Sequence, residues 1–401
     1  MKNLLKPLSV LLLLSAVIIF PGCDDDDDGP QLTGDSQTYT LAPVSNGAIS
    51  GDVTFAKRSD NKTVITIQLD GTQSGNSHPA HIHANTAAEG GGIVLDLSDV
   101  DGATGKSETV VDALNDGSPL TYEQLLEFDG YVNVHESSAN LPTLIAQGDI
   151  GQNALTADTE VYTLSSVSDP AVSGTATFTR RENDETLVVV ELDGTTAGGD
   201  HPSHIHANAA AAGGGIVIDL SNVSGETGIS RTNVTQLNDG TAITYDELLD
   251  FNGYLNVHLS STNLPTLIAQ GDIGQNALTG ESKVYTLGEL GGSGVSGTAT
   301  FAERINGFTL VTISLTGTTA GGDHPSHIHG NDAATGGPIV LDFKNINGAT
   351  GKSMTHVAAL KNGTAITYAE LLEFDGYINV HLSPTSLATL IAQGNIGSNA
   401  P

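Results

Sequence analysis

The feature that most constrains the fold of this chain is a repeat. His78-Pro79-Ala80-His81-Ile82-His83 returns as His201-Pro202-Ser203-His204-Ile205-His206, and again as His324-Pro325-Ser326-His327-Ile328-His329, each time 123 residues further on. Tyr39-Thr40-Leu41 and Asn133-Val134-His135 return at the same offset, so the landmarks align without gaps. Solenoid repeats are roughly 20–50 residues long. A period of 123 exceeds that, so each copy must bury a core of its own. The 401 residues therefore read as three tandem domains over 37–151, 160–274 and 283–397, beads on a string. Polar linkers are expected at 152–160 and 275–283.

Within each copy the hydrophobic pattern is that of strands. Ile65, Ile67 and Leu69 alternate with Thr66 and Gln68, as a half-buried strand requires. Val188, Val190 and Leu192 keep the pattern in the second copy, and Val311, Ile313 and Leu315 in the third. Further strands are expected at 50–57, 80–84, 92–98, 130–135 and 143–150, with Gly, Asn or Asp nearby to turn the chain. The 48 glycines suit many turns. One short helix is expected at Thr121–Leu126, where Thr121 and Gln124 fit a capping box. Thr244 with Glu247 and Thr367 with Glu370 repeat that signature. The fold class is all-β: three tandem antiparallel β-sandwich or barrel domains, each with one short helix.

The amino terminus reads as an address. Lys2 and Lys6 precede an apolar run from Leu8 to Phe20, too short for the ~20 residues of a membrane span but suited to a signal peptide over 1–22. The run ends at Gly22-Cys23, and Cys23 is the only cysteine, so no intrachain disulfide exists. The arrangement resembles a bacterial lipoprotein signal, which implies lipidation of Cys23 and a membrane anchor. Phe20 and Pro21 depart from the usual residues before such a cysteine. Asp24 to Asp28 open an acidic tether over 23–36 that resembles the export signals of surface lipoproteins of Bacteroidota. The expected location is the outer membrane, facing the cell surface. After loss of residues 1–22 the chain carries 12 basic against 46 acidic residues, or −34. That charge repels phosphate backbones, and with no tryptophan to stack bases it argues against nucleic acid as a partner.

Twelve of the 13 histidines fall four to a copy at matched positions. The exception is His356, whose counterparts are Asn233 and Val110. On a strand, residues two apart share a face. If Ile82, Val132 and Val134 face the core, His81, His83, Asn133 and His135 share the outer face. Should the two strands be neighbours, the imidazoles converge. His78 precedes Pro79, which holds it out of the strand and lets it close over the same point. Neutral imidazoles of this kind suit zinc or copper, one ion per domain. The candidate ligands are His78, His81, His83 and His135, then His201, His204, His206 and His258, then His324, His327, His329 and His381, supported by Asn133, Asn256 and Asn379. A hydrogen-bonded network stapling two strands fits the same residues.

The stretches HPAHIHANTAAEGGGIVLDL, LTYEQLLEFDGYVNVH and TLIAQGDI resemble the CHRD domain, a module named from animal chordin and also found in microbial secreted proteins. The resemblance covers all three copies and implies a β-sandwich. Thr143–Ile150 lacks the arginine that the family usually carries in its closing segment, so any role of that arginine does not transfer. Copper/zinc superoxide dismutases also place an HxH pair and a later V-H outside a β-barrel, which makes a metalloenzyme the alternative. Against it, the first two copies have no histidine between the HIH and NVH segments to bridge a second metal. No arginine lies near the NVH strand to guide an anion, and the acidic surface opposes superoxide. No GxSxG, Walker or HExxH motif is present. Asp96, Asp219 and Asp342 read as surface carboxylates rather than acid catalysts. The expected function is a non-catalytic surface binding or structural module with a protein or glycan partner.

Overall fold

Alternation along the chain becomes a closed sheet. Residues 29–45 and 47–400 are described by a computed structural model; the expected signal segment, Cys23 and Asp24–Asp28 lie outside the described residues. The first module has strands β1 (Leu32–Pro43), β2 (Ser50–Arg58), β3 (Thr63–Asp70), β4 (Ser77–Ala84), β5 (Ile93–Asp101) and β6 (Lys106–Val111). Helix α1 (Tyr122–Leu126) follows, then β7 (Asp129–Ser137) and β8 (Asn140–Gly151). The strands pair antiparallel in the order β1-β2-β3-β6-β5-β4-β7-β8, and β1 meets β8 at Ala42–Gln147 and Pro43–Ala146 to close a barrel. Closure leaves no open edge for another chain to extend.

The second module keeps the same neighbours between Leu155 and Gly274, but its eight-stranded sheet ends on the counterparts of β5 and β6 instead of pairing them. In the third, between Leu278 and Gly397, the counterparts of β4 and β5 each break in two and the sheet has ten strands. The β4 counterpart there is split at Pro325 into Asp323–His324 and Ser326–Gly330. Inside each barrel the period-two pattern fills one core: Val53, Phe55, Ile65, Ile67, Ile82, Val132 and Val134 are buried in the first. Gly148 allows the closing contact, because a Cβ there would lie 2.1 Å from the Thr40 carbonyl oxygen. All three helices carry the expected capping box. Among the described residues no helix is long and apolar enough to cross a membrane.

Two expectations need correction. Residues 155–160 and 278–283, read as linkers, are strand: Leu155–Ser166 and Leu278–Glu289 open the second and third barrels. Residues 32–36, read as tether, likewise belong to β1. These first strands turn only Tyr and Leu inward (Tyr39 and Leu41 in β1), so their polar outer residues mask the pattern.

The modules are also not beads on a slack string. Arg181 of the second module is fully buried, and its Nη1 donates to Asp149 Oδ2 of the first at 2.8 Å and to the Asn153 carbonyl at 2.5 Å. Its Nε donates to Asn233 Oδ1 at 2.7 Å. Arg304 repeats the contact across the next junction, from Nη1 to Asp272 Oδ2 at 2.8 Å and to the Asn276 carbonyl. A buried guanidinium is tolerated only when charge and hydrogen bonds compensate it, so each junction fixes its neighbour's position.

The two junctions differ at one residue. Where Asn233 accepts from Arg181, the third module has His356, packed edge-on against Phe308 at 5.6 Å. Burial and the Arg304 charge push the His356 pKa down, opposed by Asp272. A depressed folded value means that its stabilising contribution is complete above the ordinary value of ~6.5 and is lost as pH falls through the folded value. Proteolysis at the junction of modules two and three is therefore expected to accelerate from pH 7.5 to pH 5, and His356→Asn should remove that acceleration. An identical pH profile in the variant would contradict this.

Candidate metal centre

β4 and β7 are neighbours, with His81 opposite Asn133, Ile82 opposite Val132 and His83 opposite Tyr131. Ile82 and Val132 turn into the core, so His81, His83, Asn133 and His135 share the outer face, as their spacing predicts. They are nevertheless not open to solvent: His83 is 9% exposed and His135 8%. Backbone from the segment before β5 and from the start of β8 accounts for this. His83 Nδ1 donates to the Gly91 carbonyl at 3.0 Å, and His135 Nδ1 donates to the Leu141 carbonyl at 2.5 Å.

A carbonyl can only accept, so in both rings Nδ1 carries the proton and Nε2 keeps its lone pair. His135 Nε2 is buried without a hydrogen-bond partner, and so is His81 Nδ1. The opposite nitrogen of His81, Nε2, faces Asp96 Oδ1 at 3.8 Å. His81, His83 and His135 each offer a nitrogen within 4.8 Å of the other two. His204, His206 and His258 form the same group, as do His327, His329 and His381. In the third, His381 Nδ1 donates to the Leu387 carbonyl, so His381 Nε2 accepts from His327 Nδ1 at 3.1 Å, a bond that an ion would replace. Zinc–imidazole bonds of about 2.0–2.1 Å hold two donors within ~4 Å, so small ring movements suffice.

The surroundings hold the rings in place. His83 stacks on Tyr131 at 5.0 Å and 20°, and the Tyr131 hydroxyl accepts from Gly91 N–H at 3.1 Å. Gln147 Nε2 donates to Asn133 Oδ1 at 2.8 Å, and this turns the Asn133 amide nitrogen toward His83 Nε2 at 3.4 Å. Burial, then the neighbouring His135, lowers the His81 pKa against the pull of Asp96. His204 and His327 are lowered by the same causes. Burial also lowers His206. Neutral rings held by backbone acceptors are the usual outer shell of a histidine metal site. His81 Nδ1 and His135 Nε2 have no hydrogen-bond partner, while His83 Nε2 accepts from Asn133, whose amide would have to give way to an ion. The donor set fits a borderline divalent ion and leaves a position free of protein ligands.

Each module brings together three of its four expected histidines. His78 is buried but stands apart: its Nδ1 donates to the Glu136 carbonyl at 2.8 Å. His201 bonds the Leu259 carbonyl at 2.9 Å, and His324 the Leu382 carbonyl at 2.8 Å. Pro79 does not lift His78 out of β4; the register shifts between His78 and Ala80, and its ring meets the backbone at the end of β7. Asn133 and Asn256 support the group through amide contacts, as in Asn256 with His206 at 3.4 Å. Asn379 accepts from Gln393 but does not bond His329, whose Nε2 is without a partner. Gln147, Gln270 and Gln393, which orient these amides, carry no sequence signal beyond their recurrence in the Ile-Ala-Gln-Gly segment. Asp96 is an exposed carboxylate, but one aimed at His81.

A family model for the CHRD domain matches residues 152–263. The match takes in His201, His204, His206, Asn256 and His258 of the second module and stops as its last strand, Asn263–Gly274, begins. Comparison with curated proteins gives no match.

Proposed function

We propose that this chain is a lipid-anchored envelope protein made of three CHRD modules, each holding one zinc or copper ion through three histidines. The observation that carries this reading is the threefold recurrence of convergent imidazoles whose outward nitrogens bond loop carbonyls. The assignment of the first and third modules to the family of the second rests on the 123-residue repeat. The ligands are His81, His83 and His135, then His204, His206 and His258, then His327, His329 and His381. Bound there, the ion would tie β4 to β7 and could offer a Lewis-acidic position to a protein or glycan donor group. The role is non-catalytic binding or structural support at the cell surface.

Titration of metal-stripped protein with Zn²⁺ and Cu²⁺ at pH 7.5 tests the metal reading. Three equivalents are expected; no binding of either ion would overturn it and leave a hydrogen-bonded staple. A dismutase-like metalloenzyme shares the triad and predicts superoxide turnover by the copper-loaded protein, which the binding reading does not.

The anchor is tested separately. Cys23→Ser is expected to move the protein from the membrane pellet to the soluble fraction of the producing cells. A variant that still pellets like the wild type would contradict lipidation.

A further inference from the structure

The junction arginine occupies the same repeat position in every module, as Arg58, Arg181 and Arg304. Its partner position does not repeat in this way. Asp149 and Asp272 stand where a following module supplies an arginine, but the third module has Asn395 there. Asn395 keeps the local part of the role: its Oδ1 accepts from Ala333 N–H at 2.9 Å, as Asp149 Oδ1 does from Ala87 at 2.7 Å and Asp272 Oδ1 from Ala210 at 2.8 Å. What asparagine drops is the charged second oxygen, which in the other two modules meets the arginine.

The first module is altered at its opposite face. Positions that are Asn183 and Asn306 in the later modules are Asp60 in the first. There Asp60 Oδ2 accepts from Arg58 Nη2 at 3.1 Å, so this arginine has a carboxylate of its own. Val110 stands where Asn233 accepts from Arg181 and where His356 lies beside Arg304. Arg58 is accordingly one-fifth exposed, whereas Arg181 and Arg304 are fully buried.

We propose that docking between modules is encoded by an arginine on one face and an aspartate on the facing one. The two faces that the described modules leave uncovered have been made non-complementary, so that one copy of this chain does not add to the next. The physical reason is symmetry. Identical modules that dock head to tail inside a chain would dock equally well between chains, and a heterologous contact that does not close grows into a filament. Such an interface depends on a buried charge being met by its partner, so neutralising one side and pairing the other internally removes the drive.

The test restores the code in the full-length protein. Asn395→Asp, Asp60→Asn and Val110→Asn together should produce concentration-dependent head-to-tail association by sedimentation velocity. At equal protein concentration the dimer-to-monomer ratio should rise at least tenfold over the wild type. Adding Arg58→Ala to that variant should abolish the association. Each altered position takes a residue found at the same place in another module, so the barrels should keep their folds, which far-ultraviolet circular dichroism checks. A folded triple variant that stays monomeric would overturn the proposal. So would association that survives Arg58→Ala, or a wild type that already associates end to end.

Discussion

Replacing His204 and His206 together by alanine is expected to lower bound metal from three ions per chain to two. The thermal stabilisation that zinc gives the second module should disappear, while the other two keep theirs. The size follows from mass action. A ligand at 100 times its dissociation constant adds about 2.7 kcal/mol to the state that binds it, several degrees in the melting temperature of a ~100-residue domain. One imidazole from β7's counterpart, His258, cannot hold the ion against water, so the loss is all-or-none at that module. A purely hydrogen-bonded staple predicts otherwise. His206 bonds the Gly214 carbonyl at 3.1 Å, so its loss would destabilise the module with or without zinc, leaving no zinc-dependent difference to lose.

The second large effect lies at the junction. Arg181→Ala strands Asp149, whose side chain is only 9% exposed, and leaves the Asn153 carbonyl without its donor. Removing one partner of a buried ion pair typically costs about 3–5 kcal/mol. The matched substitution Arg58→Ala alters a partly exposed pair with Asp60 and should cost only ~0–1 kcal/mol. Denaturant unfolding of the two variants, followed module by module through proteolysis, reads the difference directly. Equal costs at the two positions would mean that the junction contributes no more than a surface contact.

Much of the barrel was legible because period-two alternation and the capping boxes are local signals. Strands β3 and β7 show it best: Ile65, Ile67 and Leu69 point inward, and so do Val132 and Val134. β1 was harder, since seven outward positions in a row precede Tyr39 and the strand is recognisable only by its partners in β2. The outer-face convergence of His81, His83 and His135 followed from side-chain parity once β4 and β7 were neighbours, which the sequence could pose only as a condition. The placement of His78 could not be foreseen, because the backbone that its ring meets belongs to another strand, β7. The junction left a trace that parity does not reveal. Of 14 basic residues, only the Arg58, Arg181 and Arg304 position is basic in all three copies. Its meaning needed the tertiary contact, since Asp149 and Arg181 lie 32 residues apart in different barrels.

The most direct test of the central claim is anomalous diffraction from crystals of the zinc-loaded protein, with data on both sides of the zinc absorption edge. The account predicts three peaks per chain, each among the nitrogens of one triad: His81 Nδ1, His83 Nε2 and His135 Nε2 in the first module, with the matching atoms in the others. Zinc peaks confined to surface carboxylates, with the three triads empty, would contradict it.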